Sequence, residues 1–357
     1  MKIEEWCTLL QCASMGLTEK IPVALIVDSP WVPGYAGISS LDYFTDISIW
    51  WEAQQKIRKD FPEVIFLPDY WVEIGMAAEP SGFGCKVIFF KDQPPAIEHL
   101  VMDCDEIVSL SGLKIPNPER DGLMPIVLNY YKRAGKFASA IGEDIKIVAS
   151  RGPLNIATHI MGVTEFLMAY KIYPKEVHNL LKKTTTLVKN WLEAQATAIG
   201  TAEGILLLDD IIGFMSQEDY MEFAHPYFRE IYDAFPVPVR ILHNDTENPV
   251  SYPFLADMGV NIFNFTYKEK LSNVRELVGN SICLMGNIPP LHTLTNGRPA
   301  DVEADSLARL NDYGRAEGLI LSAGGGASPG MPAENVRAMI QTVENCNFSN
   351  HQQGVGI

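Results

Sequence analysis

His243 and Asp245 stand two residues apart at the end of an apolar run, VRILHND (239–245). On an extended strand that spacing puts both side chains on one face. An imidazole beside a carboxylate suits a metal ion, or a histidine oriented for proton transfer. A hydrogen-bonded loop histidine without chemistry has the same appearance in sequence. Asp210, Glu218 and Glu203 are the oxygen donors that can join the pair. Glu203 opens its own apolar run, about six residues before Asp209. At roughly 3.3 Å per residue it lies some 20 Å from the far end of that run, so Asp210 ranks above it. Asp209 and Asp210 are neighbours, and strand alternation turns one to each face. One is expected to be functional and the other structural.

Further candidates recur at the ends of apolar runs. The first run ends in Asp28, with Trp31 just beyond, and the second in Asp69, Tyr70 and Trp71. Arg151-Gly152-Pro153 follows a third, and Asn287 lies at the end of another. Asp69 is read as catalytic. Tyr70, Arg151 and Asn287 are expected to contact substrate, Arg151 by gripping a carboxylate, although RGP serves equally to turn the chain. Trp31 and Trp71, with Tyr35 and Phe83, either wall a pocket for a planar apolar ligand or plug the fold. No Walker motif, HExxH or GxSxG is present.

These side chains need a scaffold that gathers strand ends. Eight near-continuous apolar runs do so: 22–28, 64–70, 145–151, 204–210, 239–245, 260–266, 282–288 and 319–325. Such runs are typical of parallel strands buried on both faces. Amphipathic segments at 155–171, 174–198, 216–234, 302–316 and 333–345 lie between them, with Ser216 as an N-cap and Pro332 at a helix start. Eight strands alternating with helices predict an α/β protein of the (β/α)8 TIM-barrel class, its site at the C-terminal ends of the strands. A doubly wound sheet is the runner-up. The stretch 71–144 is an insertion between strands two and three, with an added strand at 85–90 and a returning helix at 124–142.

The chain of 357 residues is 47% hydrophobic and carries a formal charge of −16. It is expected to form one domain over 1–357. The acidity argues against nucleic acid and against anionic lipid. No apolar run approaches the roughly 18–20 residues that span a bilayer. The start, MKIEEWCTLLQCASMG, lacks a signal pattern. Cys7, Cys12, Cys85, Cys104, Cys283 and Cys346 are scattered, without a CxxC pair. A cytoplasmic protein with reduced thiols is expected.

GNIPP (286–290) and GGGASPGMPAENVR (324–337) resemble the closing signature of the uroporphyrinogen decarboxylase superfamily. HNDTENPVSYPFLADMGVNIFNF (243–265), GTAEGILLLDD (200–210), RGPLNIA (151–157) and YAGISSLDYFTD (35–46) fit the same family in the same order. The resemblance covers nearly the whole chain and implies a (β/α)8 barrel. It also implies two chemistries. Decarboxylases resemble this chain at Asp69, but carry arginines where IVDSPWVPGY (26–35) has none, and a histidine at Gly325. A polyanionic tetrapyrrole without arginines is physically implausible. Corrinoid-dependent methyltransferases resemble it at His243, and hold zinc through a His-x-Cys pair and a later cysteine. Here those thiolates are replaced by Asp245 and Gly325.

A histidine with carboxylates suits a third member of that branch, the first methyltransferase of O-demethylation. The reading is then a methyl group moved from a small methylated donor, a methoxylated aromatic, to cob(I)alamin. The implied partners are a small corrinoid-binding protein carrying the cobalamin and the donor itself, with zinc as the candidate metal and a homodimer as the expected assembly. Uroporphyrinogen decarboxylation, or a barrel that only binds, are the alternatives. Gly325 is read as leaving space for an aromatic substrate or a corrinoid face.

Overall fold

Strands form where β-branched and aliphatic residues run without interruption, because such side chains pack on a pleated surface. The computed structural model describes residues 1–27 and 30–346, so the Asp28 end of the first run lies outside the described residues. In chain order the strands are β1 Val23–Ile26, β2 Val64–Leu67, β3 Lys86–Ile88, β4 Ala96–Glu98, β5 Ile147–Arg151, β6 Gly204–Leu208, β7 Val239–Asn244, β8 Ile262–Phe265, β9 Cys283–Ile288 and β10 Leu319–Ala323. All eight expected runs are strands. They form one parallel sheet in the order β2-β1-β10-β9-β8-β7-β6-β5, curled into a nearly closed (β/α)8 barrel. β3 and β4 make a separate antiparallel hairpin inside the insertion. The expected strand there is confirmed at 86–88, and its partner was not foreseen.

The helices track the amphipathic segments, with two corrections. The segment 155–171 is two helices, Pro153–Met161 and Val163–Ile172, broken at Gly162. The segment 216–234 divides into Gln217–Phe223 and His225–Ala234, with Pro226 in the first turn of the second. Ser216 caps the former, its side chain accepting from the Asp219 N–H.

One seam stays open. Among the described residues no ladder joins β2 to β5, so β5 presents a free edge, and a buried free edge needs other partners. Carboxylates from the chain that follows β2 supply them. Glu79 accepts from the Arg151 N–H at 3.1 Å and the Ser150 hydroxyl at 3.2 Å. Asp69 Oδ2 accepts from the Lys146 N–H at 3.0 Å.

The N-terminal helix Ile3–Ala13 packs its Trp6, Leu9 and Cys12 face under the barrel, touching β7 and, through Met15, the start of β10 near Gly318. No described helix is long and apolar enough to cross a membrane.

Candidate active site at the barrel mouth

In a parallel ladder, paired residues face the same way. His243 pairs with Asn264, and Leu208 pairs with both His243 and Arg151. Phe263 and Phe265 face the other way, since Phe263 packs against Tyr252 in the outer layer. Arg151, Leu208, His243 and Asn264 therefore share the inner face, at the C-terminal ends of their strands. All four are buried.

Asn264 fixes the histidine. Its Nδ2 donates to the carbonyls of Met285 at 2.8 Å and Ala323 at 3.0 Å. Its Oδ1 is thereby the end that faces His243 Nδ1, at 2.7 Å. A carboxamide oxygen only accepts, so Nδ1 carries the proton and donates. His243 Nε2 is left for chemistry, 3.8 Å from Asp210 Oδ1. Asp210 also receives the Asp245 N–H at 3.1 Å. One ligand atom from each of Asp210, His243 and Asp245 lies within 4.8 Å of the others. Burial raises the Asp245 carboxyl above the usual range, opposed by His243 and reinforced by Asp210.

Two glycines make this grouping possible. A Cβ on Gly213 would fall inside Thr246, so only glycine lets the loop carrying Asp210 lie against the loop carrying Asp245. A Cβ on Gly325 would lie 2.6 Å from Asp245 Oδ2, and the residue has φ +132°. The space at Gly325 is thus taken by the chain's own Asp245 carboxylate. That corrects the expectation that substrate or corrinoid fills it.

The neighbouring aspartate has the structural task. Asp209 Oδ2 accepts from the N–H groups of Leu154 and Asn155 at 3.0 and 2.9 Å, and Oδ1 from Ile211 at 3.1 Å. It holds the start of helix Pro153–Met161 against β6.

The other candidates divide. Arg151 is at the mouth, its guanidinium 3.1 Å from Glu73 and 4.7 Å from the centre of the Trp71 ring. Nη1 has no partner and is buried, beside a cavity of about 10 Å³, room for no more than one water. Trp71 is therefore a wall for Arg151.

Asp69, Tyr70, Trp31, Glu203 and Glu218 have partners elsewhere or lie exposed, and Asn287 stands at the end of β9. Asp69 (φ +91°) closes the seam, facing the Met1 amine at 3.1 Å and Arg58 at 3.6 Å. Tyr70 donates to Glu143 and packs at a tilt against Trp51. Trp31 is fully buried, donates to the Met331 carbonyl and packs on Tyr35 and Phe66. Asn287 spends its Nδ2 on the carbonyls of Thr266 and Glu269. Glu203 pairs with Lys146 at 2.6 Å at the opposite end of its strand, and Glu218 is exposed on its helix.

Three participants escaped the reading. Glu73 comes from a loop and Glu79 from the five-residue helix Ala78–Gly82, neither of which has a sequence pattern. Asn264 did have a signal, as a polar residue inside the apolar run VNIFNFT.

An imidazole nitrogen and two carboxylates fit a divalent ion that takes oxygen and nitrogen donors. Among the described residues no thiol joins them, so the group does not fit a thiolate-held zinc.

A (β/α)8 barrel with an oriented histidine and carboxylates at its mouth is the architecture of an enzyme of the α/β-barrel class. The particular family follows from comparison: the uroporphyrinogen decarboxylase (URO-D) family model matches residues 65–346, and the chain belongs to that family. A uroporphyrinogen decarboxylase of Chlorobium luteolum is 26% identical over 82% of this chain and 89% of its own. One from Tolumonas auensis is 24% identical over 76% and 77%. In fold, the chain is similar to a methyltransferase from Methanosarcina mazei, with TM-score 0.79 and 20% identity over 94% of this chain and 97% of that one.

Proposed function

We propose that the chain is a methyltransferase, moving a methyl group from a small methylated donor, a methoxylated aromatic, to cob(I)alamin on a partner corrinoid protein. The observation that carries this is the Asp210–His243–Asp245 group, with Asp245 seated in the space at Gly325. Departure of a phenolate from a methyl carbon needs charge stabilisation or a proton at the leaving oxygen. Asn264 holds the His243 ring with its unprotonated Nε2 toward Asp210 and Asp245. Asp210 and Asp245 flank Nε2 and would, with it, hold a divalent cation. Such an ion, when bound, supplies Lewis acidity.

The relatives' names favour a second reading, decarboxylation of uroporphyrinogen. The charge of the mouth counts against it. Asp210, Asp245, Glu73 and Glu79 gather there, and Arg151 is already paired to Glu73. A substrate bearing many carboxylates meets repulsion at such a mouth.

The test is incubation of the chain with aryl methyl ethers and a cob(I)alamin-loaded corrinoid protein, following methylcobalamin by absorbance. The expected result is methylation with the wild type and a loss of roughly 10²–10⁴-fold in His243→Ala. Coproporphyrinogen formed from uroporphyrinogen, with no methylcobalamin from any donor, would overturn the proposal.

A further inference from the structure

A well-defined hollow lies at the other end of the barrel. Residues 18–23 lead into β1 and Glu63 leads into β2, so it lies by the N-terminal ends of those strands. It has a volume of about 520 Å³, between the N-terminal helix and the last described helix, Ala333–Asn345. Its floor is apolar, built from Ile21, Val23, Ile65, Ile340 and Val343. Its rim carries Glu4, Glu5, Glu19, Glu63 and Glu344 against one lysine, Lys20, which already lies 3.5 Å from Glu344. The apolar surface continues outward: Ile3 on its wall and Leu17 beside it are each 63% exposed.

Each occupant can be weighed against this. An anionic lipid surface is repelled by five carboxylates. A second copy of the chain brings its own charge of −16, which opposes pairing through an acidic rim. The volume suits a few large apolar side chains. A helix presents such side chains from one face at i, i+3 or i+4, and i+7. We propose that this groove receives an amphipathic helix of a partner protein, its apolar stripe on the Ile21–Ile65–Ile340 floor and its lysine or arginine flanks on the glutamate rim. The site is remote from the mouth, so it gives this barrel a docking face that does not obstruct catalysis.

Cys7 is exposed on the wall of the groove and offers a reporter. The experiment labels Cys7 of the full chain with an environment-sensitive dye. It then titrates in a helical peptide with leucines at i, i+3/i+4 and i+7 and lysine flanks, beside the same peptide with glutamate flanks. The lysine peptide is expected to bind saturably, and about tenfold or more weaker in the Glu4→Lys/Glu63→Lys variant or in about 0.5 M salt. The glutamate peptide is expected not to bind. Methyl transfer by the double variant should be unchanged, since neither residue is near the mouth.

Equal binding of both peptides, or none, overturns the proposal. So does concentration-dependent dimerisation that the double variant abolishes, which would make the groove a self-interface. Binding that requires deletion of residues 347–357 overturns it too, in favour of the chain's own end.

Discussion

Replacing Asn264 by leucine would leave three buried groups without their partner: the His243 Nδ1–H and the carbonyls of Met285 and Ala323. The side chain that orients a ligating or catalytic histidine typically controls affinity or activity by 10–100-fold. Asn264→Leu is therefore expected to lower methyl transfer and divalent-metal affinity by about that factor. Activity assays and calorimetric titration with Zn²⁺ or Mn²⁺ would check it; wild-type values for both would remove Asn264 from the site. Gly325 makes a second residue-level case. Gly325→Cys would add the later thiol that a thiolate-held zinc needs, yet its Cβ meets Asp245 Oδ2 at 2.6 Å on a backbone with φ +132°. The expected cost is about 1–3 kcal/mol of stability, relieved in part when Asp245 is also replaced by glycine. Urea unfolding of the single and double variants reads this directly, and strictly additive losses would contradict it.

Helix Pro153–Met161 ends against the insertion, and its His159 has a pKa lowered to about 4, chiefly by burial and then by Arg151 and His99. The folded state favours the neutral ring. Its contribution to stability is therefore complete above the unfolded pKa near 6.5 and is lost as pH falls from there through about 4. Wild-type protein should lose on the order of 1–3 kcal/mol over that window from this group, and His159→Asn should flatten the profile. Denaturant midpoints from pH 7 to 4 measure both.

The elements also show what a sequence discloses. The eight barrel strands were legible because burial on both faces leaves an unbroken apolar run, as in GILLL of β6. In the insertion β3 was legible within CKVIFF, but its partner β4 was not, because AIE is three residues long and mostly exposed. Asp210 and Asp245 could be read from their places at strand ends. Asp69 and Tyr70 occupy equally promising places, but the chain turns there with φ +91° at Asp69 and carries both into the seam. Periodicity holds no record of such a turn.

At the scale of the molecule, a charge of −16 means mutual repulsion among surface carboxylates. Raising salt from about 0.02 to 0.2 M shortens the screening length from roughly 20 Å to 7 Å and should raise the thermal midpoint. An unchanged or lower midpoint would show that local pairs such as Lys189–Glu230 outweigh the general field. The same excess of acid disfavours a polycarboxylate guest, which favours the proposed reading over decarboxylation. The unzipped β2–β5 boundary sets the mechanics of the whole. A fully laddered cylinder resists dilation equally around its girth. This one is a split ring, and its compliance is concentrated along a single line where Asp69 and Glu79 act as clasps. Spreading the ring there disturbs side-chain clasps, the Arg151–Glu73 pair among them, and among the described residues no main-chain rung.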